Sequence, residues 1–230
     1  LVHIVTAQEN AEVIRIKLPE TIVTGWSENV TGEQEADITA AIHKAAAVVI
    51  GPGLGQEAGA ERLLDLVLQE AKKLPELPVV IDADGLNLLA KKGLYSTLGR
   101  QYVLTPHLRE MSRLSGKSVQ EIADDMTSAV MGQQAGATIV LKDARTLVSD
   151  GDWLYINLSG NSALSTGGSG DVLSGMIGGL LAQGCTQRTA ATLAVYMHGL
   201  TAEQYCESAP PHCMLARDIL EMIPKIGGNS

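Results

Sequence analysis

Asp171 follows directly on the run Thr166-Gly167-Gly168-Ser169-Gly170, and an apolar helical pattern then begins with Val172, Leu173, Met176, Ile177, Leu180 and Leu181. A glycine loop that opens a helix presents unpaired backbone N–H groups and the positive end of the helix dipole, which suits a phosphate. A carboxylate in that place repels phosphate unless it has other work. Taking the proton from a hydroxyl beside the phosphate is such work, so Asp171 is a candidate general base. The loop is not a Walker A loop, because neither Lys-Ser nor Lys-Thr follows its last glycine. The competing reading is a tight turn in which Asp171 merely favours the dipole.

Other strand-end turns carry further candidates. Gly51-Pro52-Gly53-Leu54-Gly55 lets backbone approach a ligand closely, but a Rossmann turn needs glycine where Gln56 stands. His107 follows Thr105-Pro106 and is either a ligand contact or a cap. Lys142 closes a strand and could meet a phosphate as a point charge, or be solvated. Asp82 and Asp84 could orient hydrated Mg²⁺, or simply form a turn. His198, beside Met197, reads as core. His3, His43 and His212 belong to no metal-ligand spacing.

These residues need strands to carry them. Leu1–Thr6 reads as a buried strand, with shorter strands at Ile22–Thr24, Ala47–Ile50, Val79–Ile81, Tyr102–Leu104 and Ala137–Leu141. Helical patterns cover Ala36–Ala46, Gln56–Lys73, Pro106 to about Leu114, Ser118 to about Gln134, and Arg188 to about Cys206. Thr146–Ser149 and Trp153–Ile156 read as a β-hairpin around Asp150-Gly151-Asp152. Alternating strands and helices imply a mostly parallel central sheet with helices on both faces, an α/β fold in three layers. Ligands of such sheets bind outside the carboxyl ends of the strands, where most of the candidate turns would converge. No linker or repeat divides residues 1–230, so one domain is expected, with a frayed tail at Gly227–Ser230.

Composition narrows the function classes. The 230 residues are 45% hydrophobic and 19% charged, as in an ordinary globular protein. The net charge of −9 argues against nucleic acid and anionic membrane as partners. Neither a transmembrane window nor a signal peptide is read. Three cysteines without metal spacing point to a reducing, cytoplasmic setting. The start at Leu1 rather than methionine leads us to expect a fragment of a longer polypeptide.

Together, Val49 to Gly55, Val80 to Asn87, Leu104 to His107, Val140 to Lys142 and Gly167 to Gly175 resemble the ADP/ATP-dependent NAD(P)H-hydrate dehydratases of the ribokinase-like superfamily. The resemblance covers nearly the whole chain. It implies a ribokinase-like sandwich and a lyase that repairs hydrated nicotinamide dinucleotides. A nucleotide phosphorylates the ring hydroxyl, phosphate leaves, and NADH or NADPH is restored. By the same resemblance Asp171 is the base. Gly53, Gly55, His107 and Arg113 contact the hydrated dinucleotide. The N–H groups of Gly167, Gly168, Ser169 and Gly170 receive the transferring phosphoryl group. Lys142, Asp143, Ala144, Arg145 and Thr146 hold the nucleotide. ADP or ATP is the donor, Mg²⁺ bridges phosphates, and a homotetramer is implied.

The sequence departs from the family in two places. Asp143 stands where glycine is common. The strand and the glycine-alanine-rich helical segment with which relatives begin are missing before Leu1, so an incomplete N-terminal part of the fold is expected. Two other functions fit the same residues. A ribokinase-like kinase of a small hydroxymethyl or hydroxyethyl compound would leave a stable phosphorylated product. A non-catalytic dinucleotide-binding module would bind without turnover.

Overall fold

The computed structural model describes residues 1–27, 31–132 and 136–226. Its centre is a six-stranded sheet in the order β3 (Val48–Ile50), β4 (Val79–Ile81), β5 (Tyr102–Leu104), β6 (Thr138–Leu141), β7 (Leu147–Ser149) and β8 (Leu154–Ile156). The pairs from β3 to β6 are parallel, and β6–β7 and β7–β8 are antiparallel. The expected hairpin is therefore β7–β8, and the chain also reverses at the end of β6.

Strand alternation builds the layers. Val79, Ile81, Tyr102, Leu104, Ile139 and Leu141 enter the larger core with the helices α2 (Gly32–Lys44), α3 (Ala58–Lys73), α4 (Ala83–Lys92) and α5 (Leu108–Ser115). Val80, Val103, Val140 and Val148 point the other way, onto α8 (Ser169–Ala182) and α9 (Gln187–Cys206). Successive residues of one strand thus serve opposite cores, which is why these strands read as unbroken apolar runs. Each such burial contributes about 1.5–3 kcal/mol.

Several expectations need correction. The N-terminal strand is β1 (His3–Ala7), and none of its residues is fully buried: His3 is exposed and Ile4 to Ala7 are half-buried. It pairs in parallel with β2 (Ile22–Trp26) in a separate two-stranded sheet, so the central sheet does not cover it. Between them lies α1 (Ala11–Lys17), which the sequence pattern did not reveal. The long helix expected from Ser118 is broken into α6 (Val119–Asp124) and α7 (Met126–Met131). Asp125 leaves helical geometry at φ −144, ψ 74, and its carboxylate accepts from Ser128 N at 2.9 Å to start the second piece. Gln134 and the tail Gly227–Ser230 lie outside the described residues. Asp82-Ala83-Asp84-Gly85 is not an isolated turn but the start of α4, and α10 (Ala216–Met222) was also missed. Pro106 precedes α5 rather than entering its first turn, since His107 is the cap.

Candidate functional site

Because β3 to β6 run in parallel, their carboxyl ends share one rim. Backbone hydrogen bonds carry the order past the strands: Asp82 N donates to Ile50 O at 3.0 Å, Thr105 N to Ile81 O at 3.2 Å, and Lys142 N to Pro106 O at 2.8 Å. Gly51 to Gly55, Asp82 to Gly85, Thr105 to His107 and Lys142 therefore stand side by side. Gly51 must be glycine: at φ 126, a Cβ there would lie 1.8 Å from Asp82 O. Gly53, at φ 62, faces open space.

The glycine loop lies over this rim. Gly168 caps α8 in the left-handed region at φ 86. Ser169 N donates to Thr166 O at 3.3 Å, whereas the N–H groups of Gly167, Gly168 and Gly170 have no protein acceptor among the described residues. Unengaged donors at a helix start, with the helix dipole behind them, suit an anion. Asp171, the next residue of α8, is exposed and makes no hydrogen bond among the described residues. Burial of its carboxyl raises the pKa above 3.8, Asp82 adds to the rise, and Lys142 opposes it.

Asp82 is 1% exposed, and its carboxylate is well occupied. Oδ1 accepts from Ala83 N and from Lys142 Nζ, each at 2.8 Å, and Oδ2 accepts from Ser174 Oγ of α8 at 2.5 Å. With that proton committed, Thr105 Oγ1 is the donor in its 3.4 Å contact with Ser174 Oγ. Between the two carboxylates Ala83 holds φ 45, the one positive φ outside glycine among the described residues. Asp84 accepts from Gly55 N at 3.1 Å and from Gln56 Nε2 at 2.9 Å, which ties the Gly51–Gly55 turn to α4. Both aspartates thus serve as internal ties. No group of three or more His, Cys, Asp or Glu among the described residues could hold a metal.

His107 is a cap first. Its Nδ1 accepts from Arg109 N at 3.1 Å and Glu110 N at 3.3 Å, so the proton is on Nε2, 3.3 Å from Glu110 Oε1. Burial, then Lys142 and Arg113, lowers its pKa, while burial raises that of Glu110. The ring stays half exposed on the rim. Arg113 lies farther along α5 and donates to Asn87 Oδ1 at 2.8 Å.

His198 is buried, as its apolar setting implied, but it also touches the loop. Its Nε2 is 3.1 Å from Ser169 O and 3.2 Å from Ser169 Oγ. A carbonyl only accepts, so Nε2 carries the hydrogen. Burial lowers the pKa of this imidazole to about 4. Asp143, Ala144 and Arg145 form the exposed link from β6 to β7, and Thr146 Oγ1 reaches Asp143 O at 3.5 Å. Asp143 has no positive φ, so the backbone here accepts a side chain without strain. Beside Thr166, a cavity of about 500 Å³ is lined by Ser162, Ser165, His212 and Met214.

The roles of Ser174, Thr105 and Glu110 were not visible in the sequence. The only hint was their place at strand ends or one helical turn from a motif.

Comparison with known proteins gives the family and the fold. The Carb_kinase family model, described as NAD(P)H-hydrate dehydratase, matches residues 1–225. A Neisseria meningitidis serogroup B protein named ADP-dependent (S)-NAD(P)H-hydrate dehydratase is 41% identical over 198 residues, which are 84% of this chain. The chain spans 65% of that relative's length. The crystal structure of a ribokinase-like superfamily protein from Enterococcus faecalis superposes with a TM-score of 0.86 at 29% identity, covering 98% of this chain and 76% of that one. An ADP/ATP-dependent NAD(P)H-hydrate dehydratase from Bacillus subtilis, co-crystallised with ATP/Mg²⁺, gives a TM-score of 0.77 at 28% identity, covering 97% and 77%. The ribokinase-like α/β fold is thereby established, and no described helix is long and apolar enough to cross a membrane. Matched by the family model over almost all of its length, the chain belongs to the NAD(P)H-hydrate dehydratase family.

Proposed function

We propose that this chain restores hydrated NADH and NADPH by nucleotide-dependent dehydration. The observation that carries the reading is the meeting of three unengaged N–H groups, Lys142 and an unpaired Asp171 on one rim with Gly53 and His107. The terminal phosphoryl group of ADP or ATP lies in the hole formed by Gly167, Gly168 and Gly170, where fixed donors meet the charge that develops on its oxygens. Ser169, whose N–H closes the turn, shapes the hole instead of lining it with a free donor. Asp171 takes the proton of the ring hydroxyl as its oxygen bonds to the terminal phosphorus, while the bond from that phosphorus to the bridging oxygen breaks and AMP or ADP leaves. The carbon–oxygen bond then breaks with the electron pair going to the departing inorganic phosphate, the adjacent ring carbon gives up a proton to solvent, and the ring double bond of NADH or NADPH is restored.

Gly53, Gly55, His107 and Arg113 hold the dinucleotide. Lys142 to Thr146 hold the nucleotide, with Asp143 turned to solvent. Mg²⁺ would arrive on the nucleotide phosphates with most of its waters, because Asp82 and Asp84 are engaged within the protein and Asp171 is kept for the hydroxyl. When bound, it neutralises phosphate charge. We further place the enzyme in the cytoplasm as a homo-oligomer. The exposed Ile156, Leu158, Leu193 and Tyr196 around β8 and α9 support assembly.

The test is incubation of the full-length protein with hydrated NADH, Mg²⁺ and either ADP or ATP, followed by absorbance of the reduced ring. Recovery of absorbance with release of phosphate is expected. A stable phosphorylated product with no recovery would establish the small-molecule kinase instead.

A further inference from the structure

We infer that Asp82 is a positioning residue that holds the Lys142 ammonium against the glycine loop, so that the lysine serves the transferring phosphoryl group and not a distal part of the nucleotide. The inference rests on the phosphoryl-transfer reading of that loop.

The lysine's path is the first observation. Lys142 leaves β6 and Asp82 leaves β4, with β5 between them in the sheet. Two strand spacings are about 10 Å. A strand-end lysine left to itself extends into water, yet this one crosses the end of β5 to reach Asp82 Oδ1 at 2.8 Å, and only 21% of its side chain is exposed.

The second observation is where the ammonium comes to rest. An added Cβ on Gly170 would lie 3.2 Å from Lys142 Nζ and 4.0 Å from Asp82 Oδ2. The charge is thus packed against a loop residue whose N–H has no protein acceptor among the described residues. The bare Cα of Gly170 leaves room for it.

The third is the fixing of Asp82 itself. Ala83 N holds Oδ1 and Ser174 Oγ holds Oδ2, so the carboxylate is anchored from its own helix and from α8. Ser174 Oγ also lies 3.1 Å from Gly170 O. One carboxylate therefore sets the lysine and the loop in a common frame. Such orientation beforehand is what makes a fixed charge effective in phosphoryl transfer.

The sign of one substitution separates this role from simple charge counting. Removing a negative charge beside a phosphate site should tighten ADP and ATP binding. Releasing a positioned lysine should weaken it. We expect Asp82→Asn to weaken binding about tenfold by calorimetry, and Lys142→Met to do so by about tenfold or more. In the Lys142→Met background, Asp82→Asn should cause no further weakening beyond about twofold. In turnover, Asp82→Asn should lower kcat and leave the KM for hydrated dinucleotide within about twofold. Unchanged or tighter binding in Asp82→Asn, or equal weakening in both backgrounds, overturns the inference.

Gly170→Ala gives an independent reading if Asp82→Asn does not fold. Its methyl group would press on the ammonium at 3.2 Å, moving it by a few tenths of an ångström, and meet Asp82 Oδ2 only at an ordinary 4.0 Å, so it should weaken binding when Lys142 is present and not when Met replaces it. Equal weakening in both backgrounds overturns the inference. If the wild-type protein binds neither nucleotide, the proposed function fails, and thermal melting still tests the tether. The Asp82→Asn/Lys142→Met double variant should then melt above Lys142→Met alone, because it no longer buries an unpaired carboxylate. A double variant that melts no higher refutes the tether.

Discussion

Asp171→Asn separates chemistry from folding and binding, because the structure gives each a different expected response. Asp171 is the third residue of α8, where a negative charge gains about 0.3–1 kcal/mol from the helix dipole. Burial and Asp82 disfavour that same charge, as the raised pKa shows. These effects oppose each other, and no hydrogen bond is lost among the described residues. The melting temperature should therefore move by less than about 4 °C in either direction. ADP and ATP affinity should hold or improve, since a carboxylate facing phosphate has gone. Turnover should fall by about 10²–10⁴-fold, the range of a general base. The wild-type rate should also fall on its acid side as Asp171 becomes protonated, at a higher pH than for an ordinary aspartate. That limb should be absent from the residual rate of the variant. The assay is recovery of reduced-ring absorbance from hydrated NADH across pH, beside calorimetry and melting curves. Full activity in the variant would refute the base assignment. So would a loss of turnover explained by lost nucleotide binding or by unfolding.

Gly51→Ala should destabilise the fold by about 2–4 kcal/mol in urea, since its Cβ would strike Asp82 O and its φ of 126 is strained for alanine. Asp84→Ala should free the Gly51–Gly55 turn and raise the KM for hydrated dinucleotide about tenfold, with kcat within about threefold. His198→Phe should change how stability depends on pH. The folded pKa of about 4 lies below the unfolded 6.5, so the wild type loses up to about 3 kcal/mol as pH falls through that window, and the variant does not. Urea midpoints at pH 7 and pH 4.5 test this, and parallel pH dependence in both proteins would count against it.

The rim was legible because its elements are local. The rim strands are short, mainly apolar runs that give way to polar or glycine residues at Gly51, Asp82, Thr105 and Lys142, and parallel order follows from the helices between. Gly51 to Gly55 and Gly167 to Asp171 could be placed before any coordinates. What escaped was nonlocal. Asp82 and Lys142 are 60 residues apart, and His198 and Ser169 are 29 apart, so no spacing announces either pair. The break at Asp125 was hidden because its cap to Ser128 lies inside a stretch whose apolar periodicity continues across it. The exposure of β1 depended on which strand it would pair with, a matter its own residues leave open. His107 shows a different limit. Its sequence allowed a cap or a ligand contact, and the structure gives one ring a capping nitrogen and a half-open face.

The reversal after β6 divides the hairpin region between two ends of the molecule. Lys142, at the start of the link to β7, stays beside the glycine loop, while the turn Asp150-Gly151-Asp152 is sent to the far end of the sheet. Strand length therefore acts as a spacer between two surfaces with separate duties. Descendants of this chain can vary the distal turn freely so long as Asp150 keeps its grip on Arg188. The proximal link has no such freedom, because a residue added before Lys142 would shift the ammonium along the strand and reverse the face on which it emerges.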